Sequence, residues 1–81
     1  MYGTELNIYE VAAYNIKKYR KKAGLTQKQL AELTNYSHEY IRHIKAPKCK
    51  KSFTIESVYV ISKALGITMY MMFETKKESD D

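Results

Sequence analysis

Apolar positions along this chain recur at intervals of three and four residues, the spacing that places side chains on one side of an α-helix. A run with the two-residue alternation of a half-buried strand is not evident. The first such segment covers residues 7–23, and its apolar stripe consists of Ile8, Ala12, Ile16, Tyr19 and Ala23. Four shorter segments follow, so the pattern predicts an all-α fold of five helices.

Residues with special backbone preferences mark the ends of these segments. Gly24 and Gly66 can adopt the left-handed conformation that ends a helix, and Asn35 tolerates it in a tight turn. Thr26 and Gln29 have the spacing of a capping box, which predicts the start of the second helix. The predicted N-caps of the later helices are Ser37, Thr54 and Thr68.

The same periodicity predicts which side chains of the later helices point inward. A short fifth helix is expected over residues 69–73. The expected core residues of the second, third and fourth helices are Leu30, Ala31, Leu33, Ile41, Ile44, Ile55, Val58, Ser62 and Leu65.

Residues 24–44 predict two short helices, each with its own N-cap, joined by a tight turn at Asn35. The second of these helices has apolar residues on one side and polar or charged residues on the other. This is the arrangement of a helix-turn-helix, which lays its second helix in the major groove of DNA. The segment therefore predicts double-stranded DNA as the binding partner.

The charge of the chain is concentrated around the same segment. The net charge is +5, but residues 17–51 hold eleven of the fourteen Lys and Arg residues and only two acids, a local charge of +9. A basic region of this size is typical of proteins that bind a polyanion. A merely solvated basic surface is the alternative, but its coincidence with the helix-turn-helix favours nucleic acid.

Other features set limits on the function. The single cysteine, Cys49, excludes an intramolecular disulfide and fits a reducing cytosol. A signal peptide and a run of membrane-spanning length are not evident, so a cytoplasmic protein without membrane contact is expected.

Catalytic, phosphate-loop and metal-ligand arrangements are also not evident. His38 and His43 lie five residues apart, off the spacing that brings two ligands together. We therefore expect no enzyme activity, cofactor, metal or small-molecule ligand.

We expect a single domain over residues 1–81, with an ordered core at about 7–73 and a disordered acidic tail at 74–81. The tail segment is predicted from its composition, because it has no apolar residue that could be buried.

Three stretches of the sequence carry a family resemblance: Ile16-Lys-Lys-Tyr-Arg20, Gly24-Leu-Thr-Gln-Lys-Gln-Leu-Ala31 and Ile61-Ser-Lys-Ala-Leu-Gly-Ile67. Together with residues 37–44, they are similar to the lambda-repressor-like helix-turn-helix family (XRE family, Cro and cI type). The similarity covers about residues 8–73. It implies a compact five-helix domain that binds a pseudo-palindromic operator as a two-fold dimer, and hence a transcriptional regulator that represses by operator occupancy.

The resemblance also implies roles for individual residues. Arg42 is the best candidate for reading a base, because its guanidinium fork matches O6 and N7 of guanine. Glu39, one turn earlier, could orient Arg42 or accept a hydrogen bond from a cytosine amine. The expected base-reading residues are Ser37, His38, Glu39, Arg42 and His43. The expected phosphate-contacting residues are Thr26, Gln27, Lys28, Tyr40 and Lys45. Lys48, Lys50 and Lys51, in a loop that is longer than is usual in the family, are expected to add phosphate contacts, with a merely solvated loop as the alternative. For Gln27, an ordinary polar residue at a helix start is the alternative.

The sequence departs from the family pattern at Lys45. The family often has a glutamate there that pairs with an arginine at the position of Arg20, but here both residues are basic. Arg20 must therefore find another partner, for which Glu56 and a DNA phosphate are the candidates.

Apolar residues also occupy positions of the last two helices that are usually polar in the family. Val60 lies about 140° around the fourth helix from the stripe that Ile55 begins. An exposed apolar patch on so small a domain indicates a partner surface, although a differently built core is the alternative. The expected homodimer interface is Val60, Tyr70, Met71 and Phe73.

The second candidate function is an antitoxin-type or other protein-interaction module. In that case Tyr70, Met71 and Met72 would bind a partner protein and DNA contact would be secondary.

Overall fold

The computed structural model describes residues 8–44 and 53–75, which form five α-helices and, within these ranges, no strand. The helices are α1 (Ile8–Lys22), α2 (Gln27–Thr34), α3 (His38–His43), α4 (Ile55–Leu65) and α5 (Met69–Met72). The predicted all-α, five-helix fold is confirmed. Within the described ranges, no helix is long and apolar enough to cross a membrane.

The helix boundaries follow from the local signals in the sequence. Thr26 Oγ1 accepts a hydrogen bond from Gln29 N at 3.0 Å, and Gln29 Oε1 accepts one from Thr26 N at 2.8 Å, so the predicted capping box is confirmed. Asn35, at a φ of 68°, and Gly66, at 72°, end α2 and α4 in the left-handed region. The predicted N-caps of α3, α4 and α5 are confirmed by side-chain bonds to backbone N–H groups: Ser37 to Tyr40, Thr54 to Ser57 and Thr68 to Met71.

The core forms where the apolar sides of the helices meet. α4 packs against α1, α2 and α5, and α2 packs against α3. The most deeply buried apolar side chains come from four helices: Ala12, Leu30, Val58, Ile61 and Met72. Because α4 contacts three other helices, its position fixes the helix-turn-helix relative to α1 and α5.

Four residues expected in the core are exposed instead: Ile8, Ala23, Leu33 and Ile55. Ala23 lies beyond the last residue of α1. Ile8 and Ile55 are the first residues of α1 and α4, and they precede the part of each helix that packs against the core. Leu33 points away from the side of α2 that is formed by Leu30, Ala31 and Thr34. The periodicity was correct for the helices but wrong for these four side chains.

Four polar side chains are buried, of which only Ser62 was expected in the core, and each of them has a hydrogen-bond partner. The hydroxyl of Thr34 donates to the backbone carbonyls of its own helix, at 2.9 Å to Leu30 O and 3.1 Å to Ala31 O. Ser62 Oγ likewise donates to Tyr59 O at 2.7 Å. A hydroxyl whose proton is bound in this way can be buried at little cost. The other two buried polar residues, Asn15 and Ser57, bond across the fold.

Asn15 connects α1 to the C-terminal end of α5. Its side chain is 1% exposed, and Nδ2 donates to Met72 O at 2.7 Å and to Glu74 O at 3.1 Å. Helix C-terminal carbonyls have no partner within their own helix, so this amide supplies one. The chain is therefore still bonded to α1 at Glu74, where the acidic tail was predicted to begin. Residues 76–81 of that tail lie outside the described residues.

Candidate nucleic-acid interface

The helix-turn-helix consists of α2, a three-residue connection at 35–37 and α3. Ile41, in α3, and Ile44, which follows it, are 2% and 6% exposed and hold this segment against the core. The predicted inward orientation of these two residues is confirmed. The opposite side of α3 is exposed, and it carries the predicted base-reading residues His38, Glu39, Arg42 and His43; Ser37, at the N-cap, is exposed as well.

Three of these side chains, Glu39, Arg42 and His43, form one network of contacts on the exposed side of α3. Arg42 Nη2 donates to both carboxylate oxygens of Glu39, at 3.2 and 3.1 Å, and His43 Nε2 lies 3.6 Å from Glu39 Oε2. The predicted pairing of Glu39 with Arg42 is confirmed as a contact. All three side chains are more than half exposed, and a surface ion pair contributes only about 0–1 kcal/mol. Arg42 can therefore exchange Glu39 for a base at little cost.

Tyr40, predicted to contact a phosphate, also bonds within the protein. Its hydroxyl lies 2.6 Å from Ser57 Oγ in α4, and its ring centroid lies 5.0 Å from that of Tyr36. Ser57 Oγ is also 3.3 Å from the hydroxyl of Thr54, the N-cap of α4. Because the phenol is half-buried and bonded to Ser57, it anchors α3 on α4, and its predicted contact with a phosphate stays a prediction.

We expect the Tyr40→Phe substitution to lower the free energy of unfolding by about 1 kcal/mol. The phenyl ring keeps its place beside Tyr36, but the buried Ser57 hydroxyl loses one of its partners. Urea denaturation followed by far-UV circular dichroism measures the loss, with Tyr14→Phe as the control because Tyr14 is 60% exposed. Equal stability of the two variants would contradict the anchoring role.

The start of α2 holds the other predicted phosphate contacts. Thr26 caps the helix, Gln27 is its first residue and is half-buried, and Lys28 is exposed. The first N–H groups of a helix lack intrahelical acceptors and favour a negatively charged partner. The start of α2 therefore combines backbone N–H donors with the side-chain amide of Gln27 and the ammonium group of Lys28.

Arg20 braces the segment between α1 and α2. Its Nη1 donates to Leu25 O at 2.6 Å, so the partner of this guanidinium within the protein is a backbone carbonyl and not Glu56, while contact with a DNA phosphate stays a prediction. Because Leu25 immediately precedes the N-cap Thr26, this bond fixes the entry into α2 from the end of α1.

The remaining predicted phosphate contacts, Lys45, Lys48, Lys50 and Lys51, lie outside the described residues, as does Cys49. Among the residues that the structure does describe, no group of three potential metal ligands is present.

The residues of the predicted dimer interface differ in exposure. Tyr70 is 73% exposed, whereas Val60, Met71 and Phe73 are half-buried, and Phe73 packs against the core. Met72, expected to contact a partner protein in the second candidate function, is 0% exposed, so that assignment is wrong. Two further large apolar side chains, Ile55 and Tyr59 of α4, are exposed. The sequence did not predict that these two residues would lie on the surface.

Comparison with known proteins places this geometry in a family. Residues 16–70 match the helix-turn-helix family. The chain is 28% identical over 64 residues to control protein C.SmaI of Serratia marcescens, which covers 79% of this chain and 74% of that protein. The structure of the restriction-modification controller protein C.Esp1396I superposes with a TM-score of 0.72 at 30% identity, over 85% of this chain and 88% of the other.

Two further structures extend the comparison. C.Esp1396I bound to a 19 base pair DNA duplex superposes with a TM-score of 0.72 at 29% identity, over 84% of this chain and 88% of that one. A hypothetical transcription factor, NHTF, from Neisseria superposes with a TM-score of 0.78 at 21% identity, over 89% of this chain and 80% of the other, which is a similarity of fold. The family resemblance in the sequence is confirmed: the chain belongs to the XRE-type helix-turn-helix family of DNA-binding transcription regulators.

Proposed function

We propose that this protein is a sequence-specific repressor that acts in the cytoplasm and occupies its operator as a homodimer. The observation that carries the proposal is the exposed side of α3, where Glu39, Arg42 and His43 project as one network while Ile41 and Ile44 are buried behind them. A helix held in this way can enter a major groove without rearrangement of its support. The DNA-bound structure of the similar protein C.Esp1396I supports this reading.

In the proposed complex, the residues divide into two groups. Arg42 reads a guanine, and Ser37, His38, Glu39 and His43 contact neighbouring base edges. Phosphates are contacted around the start of α2 and by the basic segment that follows α3: Thr26, Gln27, Lys28, Lys45, Lys48, Lys50 and Lys51. Base contacts would set the sequence preference, and phosphate contacts would position the protein on the duplex.

A homodimer is proposed because α5 presents an apolar surface next to the core. Tyr70 is 73% exposed on a helix that Asn15 holds in place, and Val60, Met71 and Phe73 are half-buried. A symmetric pair would bring two copies of α3 to successive major grooves, about 34 Å apart. The bound site should therefore consist of two inverted half-sites one helical turn apart.

Selection of bound oligonucleotides from a random pool tests the proposal. The expected result is an inverted repeat whose half-site centres lie about ten base pairs apart. Enrichment of a single half-site would contradict the dimer, and absence of any enriched sequence would contradict sequence-specific binding.

The Tyr70→Glu substitution should shift the protein from dimer to monomer, because it places a charge in the proposed apolar interface. Analytical ultracentrifugation over a range of protein concentrations measures this shift. Tyr14→Glu is the matched control, since Tyr14 is also an exposed tyrosine but lies on α1. If both variants dimerise like the wild type, the interface does not include α5.

A protein-interaction module is the second candidate, and the exposure of Tyr70, Ile55 and Tyr59 favours it. Co-purification from the native host distinguishes the two candidates. A stoichiometric second protein in place of the homodimer would support the interaction module.

A further inference from the structure

A carboxylate lies on the side of α3 that is proposed to face DNA. Glu39 is the one acid among the residues of α3 (His38–His43), and its side chain is 62% exposed. The basic region at residues 17–51 contains one other acid, Glu32, which lies on α2. A negative charge on a surface that approaches phosphates opposes binding to any duplex. Glu39 therefore lowers the affinity for DNA unless a hydrogen-bond donor compensates its charge in the complex.

In the free protein, Arg42 supplies this donor. Its Nη2 lies 3.2 Å from Glu39 Oε1 and 3.1 Å from Oε2, at the i, i+3 spacing that places two residues on one side of a helix. His43 Nε2 lies 3.6 Å from Oε2, which is beyond hydrogen-bond distance. In this geometry, Arg42 compensates the carboxylate and His43 does not take its place.

The reading of guanine requires the same nitrogen of Arg42. A guanidinium binds O6 and N7 of guanine through two parallel N–H groups, which come from Nη2 together with either Nε or Nη1. Both arrangements use Nη2, so guanine and Glu39 compete for this nitrogen. A complex in which Arg42 reads a guanine therefore takes the donor away from Glu39, and a base must supply a new one.

The base edges of the major groove differ in what they offer a carboxylate. Guanine presents the acceptors O6 and N7, thymine presents the acceptor O4, and adenine places its N7 acceptor beside the N6 donor. Cytosine presents the N4 amine, the donor from which a glutamate accepts in base recognition. A cytosine near the guanine is therefore the base that restores a partner to Glu39.

We propose that Glu39 is a specificity-determining residue that makes the reading of guanine by Arg42 depend on a neighbouring cytosine. On a duplex with both bases, Arg42 binds the guanine and Glu39 accepts from the cytosine amine. On a duplex without the cytosine, either the guanine stays unread or the carboxylate is left unpaired beside phosphates, and binding weakens in both cases. This inference rests on the proposed function and deepens it, because it names a second base of the half-site and couples it to the first.

Four versions of the selected duplex test the coupling: the original, one with the guanine replaced by adenine, one with the cytosine replaced by thymine, and one with both changes. With guanine present, loss of the cytosine should weaken binding by about fivefold or more. With guanine absent, Arg42 stays on Glu39, and loss of the cytosine should change the affinity by less than about twofold. An equal effect of the cytosine in the two cases would overturn the proposal, because the bases would then be read independently.

The Glu39→Ala substitution tests the carboxylate itself. The variant should keep the guanine preference, lose the cytosine preference and bind a scrambled duplex about fivefold more tightly than the wild type does. Glu32→Ala is the matched control, because Glu32 is an exposed acid of the same basic region on α2. The control should change the affinities for the selected and scrambled duplexes by one common factor.

Retention of the cytosine preference in Glu39→Ala would overturn the proposal, as would loss of the guanine preference, which would mean that Glu39 only orients Arg42. These outcomes leave the proposed function intact, since the wild type still prefers the selected duplex. A wild type without any sequence preference would overturn the proposed function and this inference together.

Discussion

The Arg42→Ala variant is expected to lose its preference for one guanine in each half-site while it retains affinity for DNA in general. A bidentate arginine contact contributes about 1–3 kcal/mol of discrimination against the wrong base, or roughly 5- to 150-fold. Arg42 lies on the exposed side of α3, and the pairing with Glu39 that it must give up is weak because both side chains are more than half exposed. The loss should therefore appear as a change in specificity.

Oligonucleotide selection with the variant, followed by affinity measurements on single-base substitutions of the wild-type site, measures this change. Lys28→Ala is the control, since Lys28 is exposed near the start of α2 and is proposed to contact a phosphate. The control should weaken binding to all duplexes by a similar factor. If Arg42→Ala behaves in the same uniform way, Arg42 contacts the phosphate backbone and another residue reads the base.

The Asn15→Ala variant is expected to lose about 2–3 kcal/mol of stability. The 1%-exposed amide of Asn15 donates to Met72 O and Glu74 O, and its removal leaves the buried Met72 carbonyl without that donor. Leaving a buried polar group without a partner costs more free energy than a hydrogen bond contributes to stability. Urea denaturation measures the loss, with Tyr14→Ala as the control because Tyr14 is an exposed neighbour on the same helix.

The same substitution should also weaken the proposed dimer. α5 has only four residues, too few for an independently stable helix, so its position depends on contacts with α1 and α4. Loosening it displaces Tyr70, the most exposed residue of the proposed interface. Sedimentation at temperatures where the variant remains folded should show a raised dimer dissociation constant. A variant as stable and as dimeric as the Tyr14→Ala control would contradict the role assigned to Asn15.

The helix boundaries could be predicted from the sequence because their signals are local. The Thr26 and Gln29 capping box, the left-handed Asn35 and the cap at Ser37 each depend on residues within three or four positions. Leu33 was wrongly assigned to the core because it points away from the side of α2 that Leu30, Ala31 and Thr34 form. Ile55 was wrongly assigned because periodicity gives the direction of a side chain around its helix but does not indicate where the packed part of the helix begins.

The candidate site could be predicted in part for the same reason. The pairing of Glu39 with Arg42 follows from their spacing within one helix. Contacts between distant parts of the chain could not be predicted, because they depend on how the helices pack. Tyr40 bonds to Ser57 across 17 positions, and Asn15 bonds to Met72 across 57. The bond from Arg20 to Leu25 O could not be predicted either, because every residue has a backbone carbonyl and the sequence does not indicate which one a side chain will contact.

The exposed side of α3 is proposed to read a DNA sequence while surrounding cations neutralise phosphates. The affinity of the purified protein for the selected duplex and for a scrambled duplex, measured across a range of salt concentrations, tests both parts of this proposal. For both duplexes, log K should fall linearly with log salt, with a slope of about −0.9 per phosphate neutralised. The selected duplex should bind more tightly at every concentration. A flat salt response, or equal affinity for the two duplexes, would contradict the account.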